Sequence, residues 1–354
     1  MSKNKRVLLG MSGGVDSSVA AIILKNQGYE VIGITMNLLD SEINGTCCNI
    51  TSTLDAKRVC NYLGFPHYTL NFKSLFKEHV IDNFLNEYMN CRTPNPCIEC
   101  NKYLKFGAMY KKALELDCSY IATGHYAKIE YDHRYNMKVL KKANALEKDQ
   151  SYVLYNLPQD MLDKLLLPLG NFSSKSEIRE IAKKHNLPVS TKPDSQDICF
   201  IPDGNYANFI ENNLHLPHKK GNIISKEGTI LGTHLGLHRY TIGQKRGLKI
   251  SSNSRLYVTG FNKDKNELIV GDENELYKKE FMVSDINFLT CKKLDAPLKV
   301  DIKTRYSSKA NPGIISQSGN IIKVVFDEGQ KNISPGQSAV FYDGDIVIGG
   351  GKII

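Results

Sequence analysis

No stretch of the 354-residue chain approaches the ~20 consecutive apolar residues of a membrane span, and the opening Met-Ser-Lys-Asn-Lys-Arg leads into an apolar run with no signal-peptide core. A cytoplasmic protein without membrane attachment is expected. Two phosphate-binding signatures are missing as well. No lysine follows Gly14, as a Walker loop requires, and Gly-x-Gly-x-x-Gly does not occur. The single Cys97-x-x-Cys100 pair has no second pair of ligands at similar spacing, which excludes an ordinary structural zinc site. Neither internal repeats nor low-complexity tracts appear.

What is present is ordinary globular material, 41% hydrophobic and 23% charged, in a chain long enough for two or three domains. The net charge of +9, from 46 Lys+Arg against 37 Asp+Glu, suits a polyanionic partner without proving one. Nine cysteines in a cytoplasmic chain point to core packing, metal ligation or reactive thiols rather than structural disulfides.

The most informative segment is Gly10-Met-Ser-Gly-Gly-Val-Asp-Ser-Ser18, set between the apolar runs Val7-Leu-Leu9 and Val19 to Leu24. A strand, a glycine turn and a helix in that order make a phosphate cradle. Gly13 and Gly14 are expected at positive φ, and Ser17 and Ser18 where helix-starting N–H groups and hydroxyls meet an anion. A carboxylate at Asp16 beside phosphates is best explained by Mg²⁺ between them.

Up to about residue 200, expected strands (7–11, 31–36, 68–72, 121–123) alternate with expected helices (15–27, 53–63, 75–89, 102–116). That pattern predicts a parallel sheet covered by helices, with ligands at the carboxyl ends of the strands. Ser174-Lys-Ser-Glu177 reads as a capping box opening one more helix. Beyond, short β-prone runs broken by glycine give way to longer alternating ones. The expected organisation is a catalytic α/β domain (1–202), a small β-rich central domain (203–277) and a C-terminal β-barrel (278–354).

Two cysteine segments follow the loop. In Thr93-Pro-Asn-Pro-Cys97-Ile-Glu-Cys100-Asn101-Lys102 a helix is expected to begin near Asn101, which would put Cys100 by a helix N-terminus and favour its thiolate. The other is Asp194-Ser-Gln-Asp197-Ile-Cys199-Phe200, at the end of the α/β region.

Together with Ala122-Thr-Gly-His125-Tyr-Ala, Lys148-Asp149-Gln150-Ser151-Tyr152, Thr241-Ile-Gly-Gln-Lys-Arg-Gly247 and Ser334-Pro-Gly-Gln337, these segments stand in the order found in the tRNA-specific 2-thiouridylases. The chain resembles that family over essentially its whole length, and its Ser12-Gly-Gly-Val-Asp-Ser17 resembles the loop of the N-type ATP pyrophosphatases. The resemblance implies a Rossmann-like ATP-pyrophosphatase domain, a tRNA substrate, ATP with Mg²⁺, and a sulfur-donor protein such as a cysteine desulfurase or a sulfur relay. ATP would adenylate the C2 oxygen of the wobble uridine, and sulfur would then displace AMP. By position, Cys199 corresponds to the cysteine that carries sulfur as a persulfide and Cys100 to the nucleophile that attacks it, a Cys100–Cys199 disulfide being left for reduction.

The same resemblance assigns ATP contacts to Gly10, Met11, Ser12, Gly13, Gly14, Val15, Asp16, Ser17, Met36 and Gly124. It puts Asn95, Pro96 and Cys97 beside the target base, and makes His125, Asp149, Gln150, Ser151, Arg305, Tyr306 and Gln337 tRNA contacts. The basic stretch Arg239, Lys245, Arg246, Lys249 is usable for the phosphate backbone. One departure matters: many members have aspartate where this chain has Cys97. Three thiols, Cys97, Cys100 and Cys199, could then ligate a 4Fe–4S cluster with one iron open for sulfide, a second route to the same product. Cys47, Cys48, Cys60, Cys118 and Cys291 read as packing or loop residues, with Cys60 and Cys118 on helical stretches. Competing functions are an amide-forming ligase on the same loop, which would have no need of the cysteines, and an RNA-binding protein that keeps a dead nucleotide fold.

Overall fold

A computed structural model describes residues 5–39, 50–193, 198–217, 219–250 and 255–354. Val7, Leu8 and Leu9 are fully buried, so β1 (Arg6–Gly10) is covered on both faces, as the central strand of a parallel sheet must be. The chain continues through α1 (Val15–Asn26), β2 (Glu30–Asn37), α2 (Ile50–Leu63) and β3 (His67–Asn71). Next come α3 (Lys73–Phe76), a wide-turn stretch Lys77–Ile81 and α4 (Asp82–Met89), which together fill the expected third helix. A helix assembled from α5 (Pro96–Glu99), the π-helical stretch Cys100–Ala108 and α6 (Met109–Glu115) then leads to β4 (Tyr120–Ala122).

The chain at 128–141 departs from the expected alternation. It forms a hairpin of β5 (Lys128–Asp132) and β6 (Met137–Lys141), with Asn136 in the left-handed region at its turn. The parallel sheet resumes at β7 (Leu165–Leu166), and α7 (Lys175–Lys184) follows, with the Ser174 side chain accepting from the Glu177 N–H as its cap. Strand order in this sheet is β3-β2-β1-β4-β7, every pair parallel. From β1 the chain moves outward on one side and returns to β4 on the other. A crevice therefore opens above the carboxyl ends of β1 and β4.

The middle region has α8 (Tyr206–Leu214) and a four-stranded sheet of β8 (Gly221–Ile224), β9 (Ile230–His234), β10 (Tyr257–Asn262) and β11 (Glu267–Gly271). The last region adds β12 (Tyr277–Phe288), β13 (Leu298–Lys303), β14 (Asn311–Ser318), β15 (Ile321–Lys331), β16 (Ser338–Asp343) and β17 (Ile346–Ile353). These six run β12-β15-β14-β13-β16-β17, all antiparallel, and the pairing of β12 with β17 closes them into a barrel. The β5–β6 hairpin joins this sheet through Ile346 and Lys141, and Val139 is packed in the barrel core. No helix among the described residues is long and apolar enough to cross a membrane.

Side chains tie the barrel to the α/β region. Tyr152 OH donates to the Ser338 carbonyl (2.8 Å), and Asn287 Nδ2 donates to the carbonyls of Tyr155 (2.8 Å) and Leu157 (2.9 Å). Removing the Asn287 amide strands both carbonyls. Asn287→Ala should lower stability by about 1–3 kcal/mol, measured by urea denaturation.

Candidate functional site

The loop after β1 is shaped by where its neighbours lie. Gly13 takes φ +70°, and a Cβ there would fall 2.1 Å from the Ser52 carbonyl oxygen at the start of α2. Only glycine fits. Gly14, expected at positive φ, is instead extended (φ −99°) as the N-cap of α1, because a helix entry needs β-region backbone there. The Ser18 hydroxyl also departs from expectation: it is buried and donates back to the Gly14 carbonyl (2.8 Å). Ser17 Oγ accepts from the Ser12 N–H (3.2 Å). Gly124, just past β4, presses on the same helix entry, where its Cβ would lie 2.9 Å from the Ser17 nitrogen.

Above this entry lies a cavity of about 320 Å³, within the range of small-ligand sites. Gly10, Ser12, Asp16 and Ser17 line one side, Met36 from the end of β2 another, and Gly124 and His125 a third. Pro96, Cys97 and Cys100 face them, with Cys199 close by on the wall. The nucleotide loop and both cysteine segments, far apart in sequence, thus share one space.

The cysteine helix begins five residues earlier than expected. Asn95 is its N-cap, its side chain accepting from the Cys97 N–H (3.1 Å), and Pro96 takes the first helical position, where its missing N–H costs nothing. Cys97, not Cys100, is therefore the thiol at the helix N-terminus. Cys100 lies one turn in, where the turns widen to i→i+5 as far as Ala108. Asp194 to Asp197 lie outside the described residues. Beyond them, Phe200 is buried edge-on against Phe76 (5.7 Å) and Phe84 (5.3 Å), and so anchors its neighbour Cys199.

Although Cys97, Cys100 and Cys199 line one cavity, no group of three or more His, Cys, Asp or Glu among the described residues is gathered to hold a metal ion. As placed, the three thiols do not fit the cluster named above as the second route. Two other cysteines are inert packing groups. Burial pushes the Cys60 thiol up to about 12 and Cys118 to about 11, and Cys118 follows α6 rather than lying on a helix. Cys291 is exposed, and Cys91, assigned no role above, packs against the central domain. Cys47 and Cys48 lie outside the described residues.

Several cations that motif reading did not single out surround the loop. Lys175, at the start of α7, pairs with Asp16 (2.5 Å), to which Tyr126 OH also donates (2.6 Å). Lys192 donates to the Gly13 carbonyl (3.1 Å) and pairs with Asp55 (2.8 Å). Lys105 enters the cavity, its Nζ 3.4 Å from His125 Nε2. His125 is buried with Nδ1 2.6 Å from Thr123 Oγ1. Burial, and secondarily Lys105, hold its imidazole well below the ordinary histidine value, so it is neutral.

The remaining expected contacts divide by exposure. Asp149 and Ser151 are buried: Asp149 accepts from the Ala143 N–H (3.0 Å) and from Ser151 Oγ (2.7 Å). Gln150 lines the cavity and accepts from the Tyr126 N–H (2.9 Å). Gln337 donates to the carbonyls of Thr93 (2.8 Å) and Pro94 (3.2 Å), bracing the approach to the cysteine helix. Arg305 donates to the Ile242 carbonyl (3.0 Å) and Ser334 Oγ (2.6 Å), while Tyr306 is exposed. Of the basic stretch, Arg239 is taken up by a bidentate pair with Glu211, and Lys245, Arg246 and Lys249 stand exposed.

Residues 5–203 match the family described as tRNA methyl transferase HUP domain, 207–272 the tRNA methyl transferase PRC-barrel domain, and 278–353 the aminomethyltransferase beta-barrel domain. The chain is 49% identical to the tRNA-specific 2-thiouridylase MnmA of Clostridioides difficile (strain 630), over 100% of this chain and 99% of that protein. It is 50% identical to the protein of the same name from Halothermothrix orenii, over 98% of each. Among solved structures it is similar to the U34-tRNA thiolase NcsA from Methanococcus maripaludis with its 4Fe–4S cluster, at 22% identity and a TM-score of 0.37, over 59% of this chain and 67% of that one.

Two outcomes follow from the loop and the histidine. Gly13→Ala should lose ATP binding and fold stability in calorimetry, whereas Gly14→Ala, with an extended backbone and its Cβ 3.4 Å from Ser12 Oγ, should keep the fold. Below the unfolded-state value of 6.5, the unfolded chain takes up a proton that His125 in the folded chain does not, so stability falls as pH drops. Urea denaturation between pH 7 and 5 should show that fall, and His125→Gln should flatten it.

Proposed function

Given that the chain belongs to the tRNA-specific 2-thiouridylase family, we propose that it is a tRNA-uridine 2-sulfurtransferase that thiolates C2 of the wobble uridine at the expense of ATP. The observation that carries this reading is the single cavity lined at once by the glycine loop and by Cys97, Cys100 and Cys199. An amide-forming ligase would have no use for those thiols.

A carbonyl oxygen at C2 is a poor leaving group. Its attack on the α-phosphate of ATP makes it part of an AMP ester and releases pyrophosphate to the N-terminal N–H groups of α1, where phosphate is favoured. Gly10 to Ser17, with Met36 and Gly124, form the ATP subsite in this reading. Mg²⁺ arrives with ATP as part of the substrate, and Asp16 is the loop carboxylate that would hold it.

Sulfur reaches the site on Cys199 as a persulfide, loaded by a cysteine desulfurase or relay protein. The Cys100 thiolate attacks the inner sulfur. A Cys100–Cys199 disulfide forms, the persulfide S–S bond breaks, and its electron pair leaves with the outer sulfur as HS⁻. HS⁻ adds to C2, loses its proton and expels AMP, after which a dithiol reductant restores both thiols. Asn95, Pro96 and Cys97 border the base.

On the tRNA side, Tyr306 and the exposed Lys245, Arg246 and Lys249 are suited to reach RNA. The burial of Asp149 and Ser151 and the bonds of Gln337 and Arg305 favour a role in shaping that surface from beneath. His125 and Gln150 belong to the cavity wall.

Anaerobic protein with unmodified tRNA, ATP, Mg²⁺ and a persulfide donor should incorporate sulfur, scored as 2-thiouridine. Cys100→Ser and Cys199→Ser should reduce this to background, and Cys97→Ser should retain most of it. Release of AMP and pyrophosphate with a small amine acceptor, and no sulfur in tRNA, would overturn the reading.

A further inference from the structure

In an α-helix, positions five apart lie about 140° apart around the axis. Lys105 would then be directed away from the cavity that Cys100 lines. From Cys100 to Ala108, however, the helix turns are i→i+5, with the Met109 N–H donating to the Leu104 carbonyl, and a turn of that width returns the fifth residue toward the same face. Cys100 and Lys105 accordingly line one cavity. Lys105 is the one lysine or arginine among the described residues that line it.

The ammonium is also held in place. His125 Nε2 lies 3.4 Å from Lys105 Nζ, and Nδ1 lies 2.6 Å from Thr123 Oγ1. With a neutral ring, Nδ1–H donates to Thr123 and Nε2 accepts from Lys105, a tautomer assigned from the bonding pattern. As a neutral acceptor, His125 orients the ammonium, and this contact takes nothing from its charge. Gly124 and His125 follow β4 directly, so the rigid sheet sets the cation's position.

We propose that Lys105 is the positioning cation of the sulfur-transfer step, keeping Cys100 as the thiolate that attacks the Cys199 persulfide, with His125 fixing where its charge sits. The assignment rests on the proposed thiolation. Electron flow is unchanged by it: Cys100 supplies the pair that forms the disulfide, the outer sulfur departs as HS⁻, and the dithiol reductant resets the pair. Lys105 supplies charge and transfers no proton. Among the described residues, the other titratable groups lining the cavity are Cys97 on the same helix, Cys199 beyond it, His125 after β4 and Asp16 on α1.

Iodoacetamide alkylation of Cys100 in the full-length protein, followed against pH and resolved from the other thiols by peptide mass spectrometry, tests this. Lys105→Gln should raise the apparent pKa of that reaction by about one unit and slow alkylation at pH 7 by roughly tenfold, while Lys105→Arg, which keeps the charge, should stay near wild type. His125→Gln should shift the profile in the same direction by less, and serves also if Lys105→Gln fails to fold. Profiles for Lys105→Gln and His125→Gln that superimpose on wild type would overturn the proposal, as would Lys105→Arg behaving like Lys105→Gln. Sulfur incorporation by wild type, run alongside, separates the two readings. A shifted alkylation profile in a protein that never thiolates tRNA upholds the Lys105–Cys100 coupling and sinks the function.

Discussion

The grip of the barrel on Thr93 and Pro94 sets the position of the helix that carries two of the three cavity thiols. Thr93 N–H donates to the Pro335 carbonyl (2.8 Å), the Gln337 amide spans the Thr93 and Pro94 carbonyls, and Gly336 sits so close beneath that a Cβ would lie 2.9 Å from the Thr93 nitrogen. Two prolines stiffen the same strap. It leads straight into the Asn95 cap, and the cap fixes the phase of the helix that carries both Cys97 and Cys100. The barrel thus acts on the chemistry without lining the cavity, through the starting angle of one helix.

On the opposite wall the α/β region does comparable work through charge. Asp16 and Gly13 belong to the loop, yet their partners Lys175 and Lys192 come from the far end of the same region. Chain more than 150 residues downstream of Asp16 therefore holds the glycine loop. A loop that needs a left-handed glycine and a close packing contact with α2 is strained if it moves, and these two cations resist that movement from outside.

Much of this was legible in sequence, and the exceptions have physical causes. Apolar runs located β1, β2 and β4 to within about a residue, because buried parallel strands leave a continuous hydrophobic signature, while the partly exposed edge strand β3 was placed as closely by the β-prone Tyr68 and Thr69. The barrel strands β12 and β14 carry a weaker signal, since Lys278, Lys279, Glu280 and Pro312 dilute their alternation. The β5–β6 hairpin carried a period-2 signal and a turn asparagine, but it was masked by the strong α/β rhythm on either side. At the site, residue type pointed to the loop and the cysteines. Their convergence on one cavity depends on pairing far along the chain, as do the contacts of Lys175 and Lys192. The early start of the cysteine helix was encoded in Asn95-Pro96, a cap followed by a first-turn proline, and was overlooked in favour of the next asparagine.

The hairpin has one more implication, for how the chain is made. β6 emerges from the ribosome well before β17, yet its edge is covered only when Ile346 comes to lie against Lys141. Until β17 is in place that edge has hydrogen-bonding groups without a strand partner, and exposed edges invite wrong partners. Lys141 stands on that edge and also pairs with Glu130 and Asp132, so charge guards the strand until then. Because β17 pairs with β12, β16 and β6 alike, one strand both closes the barrel and covers the hairpin, tying chain near residue 140 to chain near residue 350.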